Sequence, residues 1–213
     1  MTDLLNLLAS DFPQELLAGM IINFQISFIA LTLGFALAVP CVLLLVAGRG
    51  WKRAVSPAIG LMRAAPTFVV MFFLLNALPR EFKVFGIELS LSPEWIVALS
   101  LVPYVAAYVA DNGKVAIIEL RRGSRAAALL FMPNLVRAFT VLVMSSSAGV
   151  AIGVNEGIAV VLREAERYTA LGDQMLVFAV GVIAFGLVFQ VGFACVRITM
   201  RLLSNAERAK VPN

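Results

Sequence analysis

Five long apolar segments constrain this chain more than any other feature of its sequence. They run over residues 19–46, 58–78, 95–110, 135–154 and 174–196. A helix that crosses a bilayer needs about 20 apolar residues, with a range of about 17 to 25. The first and fifth segments meet that length easily, whereas Arg63, Pro66 and Pro103 interrupt the shorter second and third. The pattern predicts an all-α membrane protein with five transmembrane helices in one domain, residues 1–213.

The composition agrees with a polytopic membrane protein. The chain is 61% hydrophobic and 14% charged, whereas soluble domains are about 45–50% apolar and about 25% charged. A soluble fold could not cover so much apolar surface. The net charge of +4 does not indicate nucleic-acid binding, because the cations lie in short loops beside apolar runs and not in a patch with aromatic residues.

The loop cations predict an orientation, because cytoplasmic loops carry an excess of Lys and Arg. With the N-terminus outside and five helices, 13 of the 17 cations lie inside. These are Arg49, Lys52, Arg53, Arg63, Lys114, Arg121, Arg122, Arg125, Arg137, Arg197, Arg201, Arg208 and Lys210. We therefore predict an outer N-terminus and a cytoplasmic C-terminus.

Residues 1–17 are predicted to form an interfacial amphipathic segment on the outer face. Leu4, Leu5, Leu7 and Leu8 would give one apolar face at helical spacing, and Pro13 breaks the stretch. The alternative is a frayed polar terminus.

No catalytic constellation is visible in the sequence. The chain has no His and lacks the GxxxxGK[ST], HExxH and CxxC motifs. No base is placed to activate the serine triplet Ser145, Ser146 and Ser147. We expect no catalytic residues, no bound metal and no cofactor on this chain, so uphill transport would take its energy from a partner or an ion gradient.

The fourth apolar segment contains small residues at a regular spacing of four, Ser145, Gly149, Gly153 and Gly157. Small residues at this spacing form a groove in which another helix approaches closely. The pattern predicts a helix-packing seam, which is either ordinary packing or the lining of a dimer-centred pathway.

Isolated polar residues in apolar runs are candidates for contact with a solute. Gln25, Asn76 and the serine triplet belong to this group, because such side chains tend to face the protein interior or a water-filled cavity. Glu156 lies just beyond the fourth segment. We interpret it as a solvated outer-loop acid, and the alternative is contact with a cationic solute group or a docking protein. Asp111, which closes the third segment, is expected to pair with Lys114 or a neighbouring helix.

The basic, Ala-rich segment 114–133 is the longest predicted stretch on the inner side that could dock a soluble partner.

Several of these pieces resemble, in the same order, the permease subunit of bacterial ABC importers for polar amino acids, the glutamine/histidine type. That family often has R-G-T-P at its second helix, where this chain has Arg63-Ala64-Ala65-Pro66. It has A-A-Y-x-A-E closing the third helix, where the sequence here runs from Ala106 to Asp111. Its fourth region carries T-S-L-x-x-x-I-G-V-x-E, matched by Ser146-Ser147-Ala148 and by the stretch from Ile152 to Glu156.

The chain departs from the family in the cytoplasmic loop. The family pattern G-Q-x-E-A-A, followed after three residues by Gly, corresponds here to Gly123, Ser124, Arg125, Ala126 and Ala127. The second Gly is missing, and Pro133 arrives about eleven residues early, which is about three helical turns. The resemblance therefore implies a degenerate and shortened ATPase-coupling loop.

The resemblance also implies the rest of the assembly. A separate P-loop ATPase would bind ATP and Mg, a second permease subunit would complete a homo- or heterodimer, and a periplasmic binding protein would deliver amino acids or related amine-bearing solutes. The assembly would be located in the bacterial inner (plasma) membrane. Two alternatives stay open: a coupling-deficient partner or scaffold subunit of a heteromeric importer, and a channel or structural membrane protein without an ATPase.

Overall fold

The structure is a computed structural model that describes residues 2–79, 81–84, 87–124 and 128–208. Helices dominate this part of the chain. In order they are α1 (Thr2–Ala9), α2 (Phe12–Ala47), α3 (Arg49–Ala64), α4 (Thr67–Ala77), α5 (Pro93–Arg121), α6 (Phe131–Ser146), the 3₁₀ helix Ser147–Ile152, α7 (Gly157–Ala165) and α8 (Leu171–Arg208). A short antiparallel hairpin of β1 (Glu81–Val84) and β2 (Ile87–Ser90) lies between α4 and α5.

Four helical stretches among the described residues are long and apolar enough to cross a membrane. They are Phe12–Ala47, Pro93–Arg121, Phe131–Ile152 and Leu171–Ala194. The consecutive helices α3 and α4 meet the same test together but are bent by 93°. The predicted helical membrane fold is confirmed, with five spans if this bent pair is one of them.

The bend lies inside the predicted second span, residues 58–78, at the interruption that Pro66 indicates in the sequence. Ala65 and Pro66 are both extended, with ψ angles of 114° and 121°. A proline disfavours helical backbone in the residue before it, and its ring cannot donate a backbone hydrogen bond. The chain therefore leaves α3 at Ala64 and starts a new helix at Thr67.

The segment 114–133 was predicted as a loop, but α5 continues through its first residues to Arg121. The helix ends because Gly123 takes a left-handed φ of 84°. Gly123 N donates to Leu120 O at 3.0 Å and Ser124 N donates to Glu119 O at 2.9 Å, which together form a Schellman cap. The non-helical part of the connection is therefore shorter than the charge pattern suggested.

The N-terminal segment 1–17 is two helices and not one amphipathic stretch. α1 ends at Ala9, and Pro13 lies in the first turn of α2, where a proline starts a helix without losing a hydrogen bond. Of the predicted leucine face, Leu7 is buried while Leu5 and Leu8 are exposed. The packed positions of this region are Leu7, Phe12 and Leu16, which contact α7 and α8.

The core lies mainly between α2 and α5. Its buried residues include Ile26, Ala30, Leu101 and Val105. The two helices come so close that a Cβ built on Gly34 would lie 2.4 Å from the Cβ of Val105. This close packing holds α2 in place, and α2 in turn positions the polar site described next.

Candidate functional site

A buried polar network joins α2 to the segment where α6 ends. Asn23, one helical turn after Gly19 on α2, is fully buried. Its Nδ2 donates to Ser146 Oγ at 2.9 Å and to Glu156 Oε2 at 2.8 Å, while its Oδ1 accepts from Gly157 N at 2.9 Å. One amide side chain thus connects α2 with the end of α6 and the start of α7.

Glu156 is the N-cap of α7 and is fully buried. Its carboxylate accepts hydrogen bonds from Ile158 N at 2.9 Å and Ala159 N at 3.0 Å, in addition to Asn23 Nδ2. A carboxylate at a helix N-terminus is also stabilised by the helix dipole. The interpretation of Glu156 as a solvated outer-loop acid is therefore wrong, because the acid caps a helix that packs against α2.

More hydrogen-bond acceptors lie within reach of the Asn23 amide than it has hydrogens to donate. Its NH₂ group carries two hydrogens, yet Ser146 Oγ, Glu156 Oε2 and Ser147 Oγ all lie within reach, the last at 3.4 Å. The two shorter contacts use both hydrogens. The hydroxyl of Ser147 is therefore held only weakly by the network, and its lone pairs are available to another partner.

The predicted glycine seam does not lie on one helix. The α-helix ends at Ser146, a 3₁₀ turn follows to Ile152, and Gly153 has a left-handed φ of 87°. Gly157 then opens α7 in a new direction. The spacing of four residues therefore does not place the four small residues along one line, which corrects that expectation.

Close approach nevertheless occurs at several of these glycines. A Cβ built on Gly157 would lie 2.6 Å from a ring carbon of Phe185, and one on Gly149 would lie 3.0 Å from Val154. Gly19 on α2 faces the backbone of Gly157 at 2.8 Å in the same construction. These contacts let α2, α7 and α8 meet around the polar network.

A cavity of about 500 Å³ opens beside the network, where α4 begins and α6 ends. It is lined by Pro66, Thr67, Phe68, Met144, Ser145, Ser147, Ala148 and Val150. Ser147 is the residue that both lines this cavity and contacts the buried network. The cavity therefore presents hydroxyl groups on an otherwise apolar wall, and Ser147 connects that wall through Asn23 to the buried carboxylate of Glu156.

The predicted pathway residues divide into those near the cavity and those away from it. Ser145 and Ser147 line it, whereas Ser146 is buried in the network. Gln25 is exposed on the outside of α2, and Asn76 is exposed and donates to Phe72 O of its own helix at 2.7 Å. Neither amide contacts the cavity or the network.

Asn23 is the functional candidate that the sequence reasoning missed. A signal was present, because Gly19, Asn23 and Ser27 recur every four residues, and so do Ala30, Gly34 and Ala38. All six are buried. A row of small residues marks the packed face of a membrane helix, and a polar residue in that row is more informative than Gln25, which lies outside it.

The predicted coupling loop is only partly within the described residues. Gly123 and Ser124 form the C-terminal cap of α5, and Gly123 is exposed. Arg125, Ala126 and Ala127 lie outside the described residues. Arg63 at the end of α3 forms an ion pair with Asp111 of α5 at 2.5 Å. The expectation of a neighbouring-helix partner for Asp111 is confirmed.

No group of three or more His, Cys, Asp or Glu side chains in the described ranges is arranged to hold a metal ion.

Comparison with known proteins shows the class of fold. No family model matches the sequence, and no curated protein matches it. The structure is similar to a chain from the crystal structure of an amino acid ABC transporter with histidines, with a TM-score of 0.63 and 18% sequence identity. The match covers 93% of this chain and 95% of that chain. At this identity the likeness shows a shared fold alone: the chain has several helices long and apolar enough to cross a membrane, and its fold resembles that of an ABC transporter permease.

Proposed function

We propose that this chain is the permease subunit of an ABC importer that moves amino acids or related amine-bearing solutes into the cell by alternating access. The observation that carries the proposal is the likeness of fold over nearly the whole chain to an amino acid ABC transporter. The proposed setting is the bacterial inner membrane, with the N-terminus outside and the C-terminus in the cytoplasm. A separate ATPase with ATP and Mg, a second permease subunit and a periplasmic binding protein complete the assembly.

The cavity between α4 and α6 supports this proposal as a place for a polar solute. Thr67, Ser145 and Ser147 supply hydroxyl groups that accept hydrogen bonds from an amine or donate them to a carboxylate. Thr67 also begins α4, and the first N–H groups of a helix have no partner within the helix. The combination suits a small zwitterion better than an apolar molecule.

The break between α3 and α4 supports alternating access. Discontinuous membrane helices commonly line transport sites, because the backbone groups freed at the break face a cavity and not lipid. Here the 93° bend lies at Ala65 and Pro66, directly at the cavity wall. The bend therefore lies where a change of its angle would alter access to the cavity.

A second candidate, a subunit that does not couple fully to an ATPase, is favoured by one observation. Only residues 122–130 separate α5 from α6, and Gly123 and Ser124 are already used in capping α5. A separate coupling helix between Ser124 and α6 would therefore have at most six residues, which is fewer than two helical turns. In this case the partner permease would carry the intact loop.

The import proposal is tested by purifying the chain with the products of neighbouring genes and assaying ATP hydrolysis in liposomes. We expect a P-loop ATPase to co-purify and an amino acid, with its binding protein, to stimulate hydrolysis. An ATPase that binds this chain without any stimulation favours the second candidate. Absence of both binding and stimulation contradicts the importer assignment.

Within a working importer, Thr67→Val is expected to raise KM for solute about five- to ten-fold, because a hydrogen bond worth about 1 kcal/mol is lost without a change in side-chain shape. Ser147→Ala is expected to act in the same direction. The measurement is initial uptake of labelled solute over a range of concentrations. Thr32→Val is the matched control, since Thr32 is exposed on α2 and bonds to its own helix at Phe28 O. Equal effects of the three variants would contradict a solute contact at the cavity.

A further inference from the structure

Helix α3 has two different sides. One side packs into the protein, where Ile59 is buried and Val55 and Met62 contact the cluster formed by α2 and α5. The other side is exposed and carries Trp51, Lys52, Arg53, Ser56 and Pro57. The helix is therefore amphipathic, and its polar side is cationic because α3 contains no Asp or Glu.

The exposed cations border a shallow open groove of about 520 Å³. Lys52, Arg53, Ser56 and Pro57 line it. These positions are one helical turn apart in pairs, so their side chains share one face. Among the residues whose side chains are described, no carboxylate lies within salt-bridge distance of Lys52 or Arg53.

With α4 across the membrane, the bend after α3 would lay this groove along the membrane surface. The apolar helix α4 lies at 93° to α3, so α3 lies along the membrane plane when α4 lies across it. Along α5, at about 1.5 Å per residue, the distance from Pro93 to Asp111 is about one bilayer thickness. Arg63 of α3 pairs with Asp111, so the end of α3 would lie at the level of that membrane face. Trp51 is 58% exposed at the start of α3, and tryptophan is enriched where membrane meets water.

We infer that Lys52, Arg53 and Ser56 form a binding site for the phosphate-bearing headgroup of an anionic phospholipid. The ammonium and guanidinium groups donate charge-assisted hydrogen bonds to the phosphate oxygens, and the Ser56 hydroxyl donates a further one. Trp51 lies at the level of the headgroups beside them. The net negative charge of the lipid selects it over a zwitterionic one, because each cation near the surface favours anionic lipid by about five-fold. The inference does not depend on the proposed transport function.

Trp51 provides a direct probe, because the chain has two tryptophans and the other, Trp95, can be replaced by Phe. The Trp95→Phe protein is reconstituted in phosphatidylcholine vesicles that contain a small fraction of brominated lipid, which quenches nearby tryptophan fluorescence. We expect brominated phosphatidylglycerol to associate with Trp51 on the order of ten-fold more strongly than brominated phosphatidylcholine. In the Lys52→Gln, Arg53→Gln variant this preference is expected to disappear.

The matched control removes two cations from the end of α5 by Arg121→Gln and Arg122→Gln. Both of these side chains are exposed, so the control carries the same loss of charge at a different place. Retained preference in the control, with preserved helix content by circular dichroism, supports a site on α3. Equal quenching by the two brominated lipids in the parent protein, or equal loss of preference in the two charge variants, overturns the proposal.

Discussion

Replacing Asn23 with leucine is expected to destabilise the protein by about 3–5 kcal/mol, because two buried groups lose a hydrogen-bond partner, at about 1–3 kcal/mol each and more for a charged group. Leucine has a similar size but cannot donate or accept a hydrogen bond. The fully buried carboxylate of Glu156 would lose its side-chain donor, and Gly157 N–H would lose its acceptor. A buried polar group without a hydrogen-bond partner lowers the stability of the fold, because it loses its bonds to water and gains none in the protein.

The measurement is thermal unfolding of the purified protein in detergent. For a chain of this length a loss of 1 kcal/mol lowers Tm by about 2–4 °C, so Asn23→Leu should lower Tm by about 10 °C. Asn76→Leu is the matched control, because Asn76 is exposed and bonds only within its own helix at Phe72 O among the described residues. Similar Tm values for Asn23→Leu and the parent would contradict the network.

A double-mutant cycle separates the contact from a general packing effect. Glu156→Gln keeps the size of the side chain and removes its charge, so the loss of the Asn23 donor should matter less in that background. We expect a coupling of about 1–3 kcal/mol between the two positions, as for residues that share a hydrogen-bond network. Additive effects would show that Asn23 acts through packing alone.

The membrane-spanning part of the fold follows from the sequence because it depends on length and hydropathy. The run from Gly19 to Val46 is mostly apolar over its whole length and not on one face alone, and the structure places it inside the helix Phe12–Ala47. Asp111 is a similar case. An acid that follows an apolar run is expected to pair with a cation, and Arg63 of α3 is that partner.

Direction changes in the chain could not be read from the same signals. Pro66 indicates a break but not its 93° angle, which depends on how α3 packs against α2 and α5. The spacing of four residues from Ser145 to Gly157 assumes one helix, and a left-handed glycine at position 153 removes that assumption. A local pattern does not reveal which face of a helix meets another element.

The position of Glu156 shows why the candidate site was only partly predictable. A carboxylate just after an apolar run is usually solvated, and the sequence contains no nearby cation that would bury it. The structure stabilises it instead with Asn23, which is far away in sequence, and with the first N–H groups of α7. Ser147 was identifiable as a polar residue in an apolar run, whereas its contact with Asn23 of α2 required the fold.

The second large effect is expected at Gly19, where alanine should destabilise the protein by about 1–3 kcal/mol through overpacking. The added Cβ would lie 2.8 Å from Gly157 N and 2.9 Å from Glu156 C. Both atoms belong to the backbone, so no side chain can rotate away and α7 must move from α2. That movement would lengthen the 2.9 Å hydrogen bond from Gly157 N to Asn23 Oδ1, which adds a loss in the polar network.

The opposite sign is expected at Gly186, a glycine within α8 that has nothing within 4 Å of a built Cβ. Alanine there should stabilise the helix by about 0.8–1 kcal/mol, since glycine is the weaker helix former. The two variants make the same chemical change, so their Tm shifts in opposite directions would show that the contact of α2 with α7 is as close as described. A Gly19→Ala variant as stable as Gly186→Ala would contradict that contact and with it the geometry of the Asn23 and Glu156 network.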